Sequence, residues 1–194
     1  EALAISDRIA VMAHGHIEQL GPPEEIYSSP QSLFAATFVG NSNQFRGVLT
    51  SADEGLCQAG PYTLHVSPTS GLRNGDQVMV VVRPEEMTIS GKGEPAAHGV
   101  DSNGTEASAA HVTAVNQISG SIDLRTFLGP FTRFHVRTND DTALIADVPS
   151  QQARGYFVAQ HVTLSFPAEA CQLLPLAAGE AELKRIAEAE AEAV

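Results

Sequence analysis

Tryptophan is absent from this 194-residue chain, and only two cysteines, three tyrosines and eight phenylalanines are present. A groove for nucleic acid needs Lys or Arg interleaved with stacking aromatics. Here 11 basic residues face 23 acidic ones, giving a formal charge of −12, so nucleic acid is an unfavoured partner and an anionic membrane surface would repel the chain on average. Cys57 and Cys171 form no CxxC pair and no disulfide-framework spacing, which fits free thiols in a reducing compartment. No apolar run approaches the roughly 18 residues that a membrane-spanning helix requires.

The short motifs of enzyme chemistry are missing as well. There is no GxxxxGK[ST] phosphate cradle, no GxGxxG, no GxSxG elbow and no HExxH. His14 and His16 make an HxH pair on an expected turn, but a zinc site needs three or four ligands and no others stand at a usual spacing, so a solvent-exposed turn is expected. His65, His98, His111, His135 and His161 are scattered, with no Asp or Cys placed to complete a triad. Glu24-Glu25 and Glu85-Glu86 read as a helix start and a turn rather than as acid and base, because sequence neighbours point apart.

What is present reads as β structure behind a short mixed region. Residues 5–20 predict a hairpin reversing at His14-Gly15. Gly21-Pro22-Pro23-Glu24-Glu25 predicts a helix entry running to about Tyr27, and a second helix from Ser29-Pro30 should bury Leu33, Phe34, Thr37 and Phe38 and stop at Gly40. From Asn41 onward eight β-rich runs are expected, at 45–49, 62–66, 78–82, 112–118, 122–127, 131–136, 143–148 and 161–166. Many short strands without a long helix indicate a small barrel or sandwich. Residues 91–109 hold almost no large hydrophobe and predict a mobile loop, and the Ala/Glu-rich tail after Pro175 predicts a frayed helix.

Charge is spread along the chain. Residues 1–40 carry five acidic groups against one basic, 41–175 thirteen against eight, and 176–194 five against two, so no basic patch hides in the acidic average. Val82-Arg83-Pro84-Glu85 stands out after the apolar run QVMVVV. Proline removes a ladder donor and fixes φ, so the strand must end there at a structural corner.

The stretch from Glu1 to Asn43, EALAISDRIAVMAHGHIEQLGPPEEIYSSPQSLFAATFVGNSN, closely resembles the end of the ATP-binding subunit of bacterial ABC importers of the carbohydrate, polyamine and ferric-iron uptake type. Gly15, Ile17, Gln19, Gly21, Pro23, Glu25, Ile26, Tyr27, Pro30, Phe34, Phe38, Gly40 and Asn41 stand at the family's motif positions, with Ala35 for the usual valine. Residues 42–175 resemble the TOBE domain that follows: Arg83, Pro84 and Glu85 match its VRPE corner, Phe127, Leu128 and Gly129 its FLG turn, and 162–166 with 171–174 its closing strand and terminal turn.

The resemblance implies a mainly β fold, an OB-fold-like (TOBE/MOP-like) small β-barrel behind a short α/β remnant. The expected organisation is residues 1–40 as the end of a nucleotide-binding domain, 41–175 as the TOBE-type regulatory barrel and 176–194 as an acidic tail. It further implies a cytoplasmic homodimer at the inner face of the membrane, in contact with permease subunits through the nucleotide-binding domain. ATP and Mg would belong to that domain, whose phosphate cradle, signature and switch histidine precede Glu1 in the family pattern. No cofactor, metal or catalytic residue is therefore expected in this chain, and Arg83, Pro84, Glu85, Phe127, Leu128 and Gly129 carry over as structural and interface positions only. The transported substrate, whether polyamine, iron, phosphonate or sugar, is not written in these residues. The alternative from another class is a small-oxyanion module of the molybdate type, although no tandem Ser/Lys-rich loops are found.

Overall fold

Alternating burial along short runs, punctuated by proline and glycine, is what makes this chain mostly strand. The computed structural model describes residues 2–68, 71–91 and 114–176. In order they form α1 (Ala2–Ile5), β1 (Ile9–Ala13), β2 (His16–Gly21), α2 (Pro23–Ser28), α3 (Leu33–Phe38), β3 (Asn43–Ser51), β4 (Leu56–Ala59), β5 (Tyr62–His65), β6 (Gln77–Val82), β7 (Thr88–Gly91), β8 (Val115–Phe127), β9 (Phe131–Thr138), β10 (Ala143–Pro149), β11 (His161–Pro167) and β12 (Gln172–Pro175). Three 3-10 turns, Pro84–Glu86, Gln152–Gly155 and Ala168–Ala170, join the later strands. The expected loop 91–109, apart from Gly91 at the end of β7, and the tail beyond Leu176 lie outside the described residues.

Two compact units divide the chain. The first takes in the described parts of 1–60, 68–81 and 172–194. Its β1–β2 hairpin reverses at His14 and Gly15, both at positive φ (49° and 79°), the turn whose twist matches the flanking strands. Val11 faces inward to meet Ile26 of α2 and Ala35 of α3. Pro23 opens α2, with Glu24 and Glu25 in the first turn where the helix end favours negative charge. Ser32 caps α3, its Oγ accepting from the Ala35 N–H at 3.1 Å. The link between the two helices is tied to β2 by buried Gln19, which donates to the Ser29 carbonyl at 3.1 Å and accepts from the Gln31 N–H at 2.9 Å.

The face of α3 differs from the one expected. Leu33, Ala35 and Ala36 are buried, whereas Thr37 and Phe38 are exposed. The helix is pinched between two small clusters: Ala35 meets Val11 and Ile26, while Leu33 and Ala36 meet Val81 and Leu174. Alanine lets backbones approach on both sides, and the bulkier Phe38 is turned out to stack on Phe34. The strands of this unit lie in the order β12, β6, β3, β4, with β12 antiparallel to β6.

The second unit comprises the described parts of 61–67 and 82–171. Its five-stranded antiparallel sheet has the order β10, β9, β8, β11, β7. Inward residues such as Ile118, Ile122, Phe134, Val136, Leu144, Leu164 and Phe166 are buried. The run expected at 112–118, whose first two residues lie outside the described ones, and the run at 122–127 join in one strand, β8, because Gly120 sits mid-ladder rather than in a turn. A Cβ there would lie 2.5 Å from the Arg137 carbonyl oxygen, so only glycine permits the close approach of β9. A bulge between Ile122 and Leu124 then shifts the register. β5 is tied to β8 by buried Asn116, whose Oδ1 accepts from the His65 N–H (2.7 Å) and whose Nδ2 donates to the His65 carbonyl (2.8 Å). Strands β4, β7 and β12, four residues each, are additional to the eight composition-based runs; β12 covers the end of the closing segment that the resemblance pointed to.

Candidate functional site

The corner forms where β6 reaches Val82. Arg83 stays extended, and Pro84 then starts a single 3-10 turn closed by the Glu86 N–H on the Arg83 carbonyl (3.1 Å) and the Met87 N–H on the Pro84 carbonyl (3.3 Å). Arg83 is 4% exposed and Pro84 is buried, so neither presents a surface; Glu85 is exposed. This turn packs on β10.

The second trio lies at the tip between β8 and β9. Leu128 donates its N–H to the Phe131 carbonyl at 2.8 Å, and Gly129 takes φ +84°, a conformation that favours glycine. Ser150, just after β10, holds the tip from behind: its N–H reaches the Pro130 carbonyl (2.9 Å) and its Oγ reaches the Gly129 carbonyl (2.7 Å) and Thr132 Oγ1 (3.0 Å). On this fixed backbone Phe127, Leu128 and Phe131 are 67%, 49% and 45% exposed. The six residues expected from sequence thus sit on two elements that share β10 as a neighbour, and of the six Glu85 lines a cavity.

That cavity is a cleft of about 590 Å³ in the second unit, and composition gave no sign of it. It runs between β7 and β10, the two edge strands of the sheet, with the turns at 84–86 and 152–155 nearby. Met87, Ile89 and Val148 supply buried apolar lining, and Glu85, Asp147 and Tyr156, with Thr88 and Gln152, supply polar groups. Asp147 is held in a two-point pair by Arg133, directly opposite on β9, with Nε to Oδ1 at 2.8 Å and Nη2 to Oδ2 at 2.6 Å. Tyr156 rests edge-on against Phe134 and donates its hydroxyl to the Ile89 carbonyl at 3.1 Å. The two strands that meet here, β7 and β10, are about 55 residues apart in sequence, and it is the register of β10 on β9 that sets Arg133 opposite Asp147.

Other polar groups serve the scaffold. Asp140 accepts hydrogen bonds from Thr138, Tyr62 and Thr142, which hold its carboxyl down at about 2, with the Thr138 bond the largest cause and the Tyr62 bond next. Burial raises the Tyr62 hydroxyl, and the bond to Asp140 adds to it. Burial pushes the Cys57 thiol up to about 11. Arg137 binds Asp123 at 2.6 Å and Asp141 at 3.0 Å, fastening the residue at the β8 bulge. His14 and His16 lie in and beside an exposed turn, and among the described residues no cluster of three or more His, Cys, Asp or Glu could hold a metal ion. Among them, too, no helix is long and apolar enough to cross a membrane.

Comparison with known proteins gives matches over most of the chain. The family model of the TOBE domain matches residues 80–174. The spermidine/putrescine import ATP-binding protein PotA of Pseudomonas fluorescens is 35% identical over 141 residues, covering 71% of this chain and 35% of that protein. The Fe(3+) ions import ATP-binding protein FbpC 2 of Rhizobium meliloti is 35% identical over 156 residues, covering 79% and 37% respectively. The chain therefore spans about a third of the length of the curated relatives it matches. Among solved structures, the cytoplasmic molybdate-binding protein ModG with molybdate bound gives a TM-score of 0.48 at 17% identity, over 69% of this chain and 96% of that one.

Proposed function

This chain belongs with the ATP-binding subunits of bacterial ABC importers, whose TOBE domain it carries over residues 80–174, and from that kinship we propose that it is the regulatory and dimerisation region of such a subunit. The fold is mainly β and OB-fold-like, of the TOBE type. The observation that carries the reading is the span of the match, which runs from β6 through the corner at Arg83–Glu85 and the tip at Phe127–Gly129 to β12.

In this reading ATP and Mg bind a nucleotide domain of the parent protein, and the 194 residues hydrolyse nothing themselves. Residues 1–40 are the last part of that domain. The open face of the β1–β2 hairpin supports this, since Met12, Ile17 and Leu20 are exposed there as they would be on a sheet built to be covered. The parent works at the inner face of the membrane through permease subunits. The relatives, importers of spermidine/putrescine and of Fe(3+) ions by name, favour a polyamine or ferric iron as its cargo.

The tip is the contact on a second copy. Three large apolar side chains on a backbone fixed by Ser150 lose little entropy on docking, and burying them is favourable for an acidic chain that otherwise repels its own kind. Light scattering on the purified chain tests the contact together with phosphate release from ATP. A concentration-dependent dimer that Phe127→Ser shifts to monomer, with phosphate release no higher than in a mock preparation, is the expected result. A monomer at all concentrations removes the dimer contact, and genuine ATP turnover removes the regulatory assignment.

A further inference from the structure

We propose that Asn74 is a site of spontaneous covalent modification, deamidation through a cyclic imide, and that its rate is set by a turn that must first lift off β3. Asn74-Gly75 opens the route, since glycine has no side chain to shield its amide nitrogen from the neighbouring carboxamide. The pair stands at the centre of the turn 73–76, just before β6, with Gly75 at φ +92° and the Asp76 N–H on the Arg73 carbonyl at 3.1 Å. Asn74 is exposed, so water reaches its carboxamide.

In the reaction the Gly75 nitrogen gives its proton to water and attacks Asn74 Cγ. The new N–C bond closes the imide, and the Cγ–Nδ2 bond breaks as Nδ2 takes up a proton and leaves as ammonia. Water then opens the ring, at Cγ to give aspartate or at the main-chain carbonyl to give isoaspartate. In the folded chain both reacting groups are held. The Gly75 N–H donates to the Leu49 carbonyl at 2.7 Å, and Asn74 Oδ1 accepts from the Ala52 N–H at 2.7 Å. Leu49 also donates its own N–H to the Asp76 carbonyl at 3.0 Å, so strand and turn are paired in both directions. The nitrogen cannot lose its proton, nor the carboxamide swing toward it, until these bonds open. The two products then differ: aspartate keeps an oxygen for the Ala52 N–H, whereas isoaspartate adds a carbon to the main chain between positions 74 and 75 and pulls the turn out of register with Leu49.

The test is a time course on the whole folded chain, the same chain in urea and a synthetic peptide of residues 71–78. Mass spectrometry after digestion reads Asn74 apart from the second Asn-Gly pair, at 103–104. The unfolded chain and the peptide should convert at equal rates, and the folded chain at least about tenfold more slowly. Asp76→Ala removes the carboxylate that accepts from the Arg73 N–H at 2.8 Å without touching either reacting group. It should speed the folded chain about threefold, relative to a peptide carrying the same change. If that variant does not fold, the parent's ratio of folded to unfolded rate decides alone. Folded chain converting as fast as the peptide, no conversion in the unfolded chain, or a folded Asp76→Ala chain as slow as the parent would each overturn the proposal. None of these outcomes bears on the dimer contact or on ATP turnover, so the transporter reading is judged separately.

Discussion

Gly47 on β3 and Cys57 on β4 meet with no space between them: a Cβ at position 47 would lie 2.5 Å from Cys57 Sγ and 2.8 Å from the Gln58 carbonyl oxygen. Gly47→Ala should therefore destabilise the chain by about 1–3 kcal/mol, as overpacking against a buried neighbour does. Cys57→Ala removes only the sulfur, so the double variant should recover part of that loss and not all of it, the backbone oxygen being still in place. Urea midpoints of the four proteins decide the matter, and a Gly47→Ala midpoint equal to the parent's would show that the two strands yield freely.

Asn116 acts toward His65 as a strand partner would, one amide satisfying both an N–H and a carbonyl in a buried place. Asn116→Ala leaves the His65 N–H without its acceptor, while the His65 carbonyl keeps Cys171 Sγ at 3.5 Å. The cost should be about 1–3 kcal/mol. Asn116→Asp separates the two roles: an ionised carboxylate accepts from the N–H but faces the carbonyl with no proton to donate. That variant should regain stability on acidification, when the protonated carboxyl can donate again. A deficit that does not change with pH would mean that the donor half of the pair is idle.

The strand content was legible because β-rich runs were separated by turn residues; α2 was announced by its proline and acidic first turn, and α3 by Ser29-Pro30 ahead of it. Legibility failed where a local signal was overridden by a neighbour. Gly120 read as punctuation but is a close-approach residue under Arg137, so one long strand looked like two. Thr88–Gly91 has a single large apolar residue in four and no alternation to detect, yet β11 holds it in register. The corner was legible through Pro84, which marks backbone geometry directly, and the tip at Phe127–Gly129 through the family resemblance. The cleft was not, because it exists only once two edge strands far apart in sequence are brought together.

Asp140 gives the chain an acid-sensitive turn. Its carboxyl titrates at about 2 against an ordinary 3.8, chiefly because Thr138 and then Tyr62 donate to the ionised form. A folded value below the unfolded one means that the stabilisation is fully present above the unfolded value and is lost as pH falls through the folded value. Asp140→Asn should thus be less stable than the parent at pH 7, with the gap narrowing between about pH 4 and pH 2. Tyr62→Phe should move the Asp140 titration upward toward 3.8 by removing one donor. Denaturant midpoints across that range, with side-chain carboxyl NMR for the titration, supply the check; a gap of constant size would place the stabilisation elsewhere.

Ser150 links the edge of the β7–β10 cleft to the tip on which the contact is proposed. It follows Pro149 at the edge of the cleft, and it ties down the Gly129 and Pro130 carbonyls of the tip. Ser150→Ala keeps the backbone N–H bond to Pro130 but removes both hydroxyl contacts, so the fold should lose only about 0.5–1.5 kcal/mol, the net worth of such a bond. The larger effect belongs to the tip. With Gly129 released, the Leu128 amide should exchange faster with solvent, and the apolar trio should pay an ordering cost on docking that the parent does not. Self-association in light scattering should weaken while the unfolding midpoint shifts little. If Leu128 exchange is unchanged and the dimer is as tight as before, the tip is rigid without Ser150, and its shape follows from Gly129 and Pro130 alone.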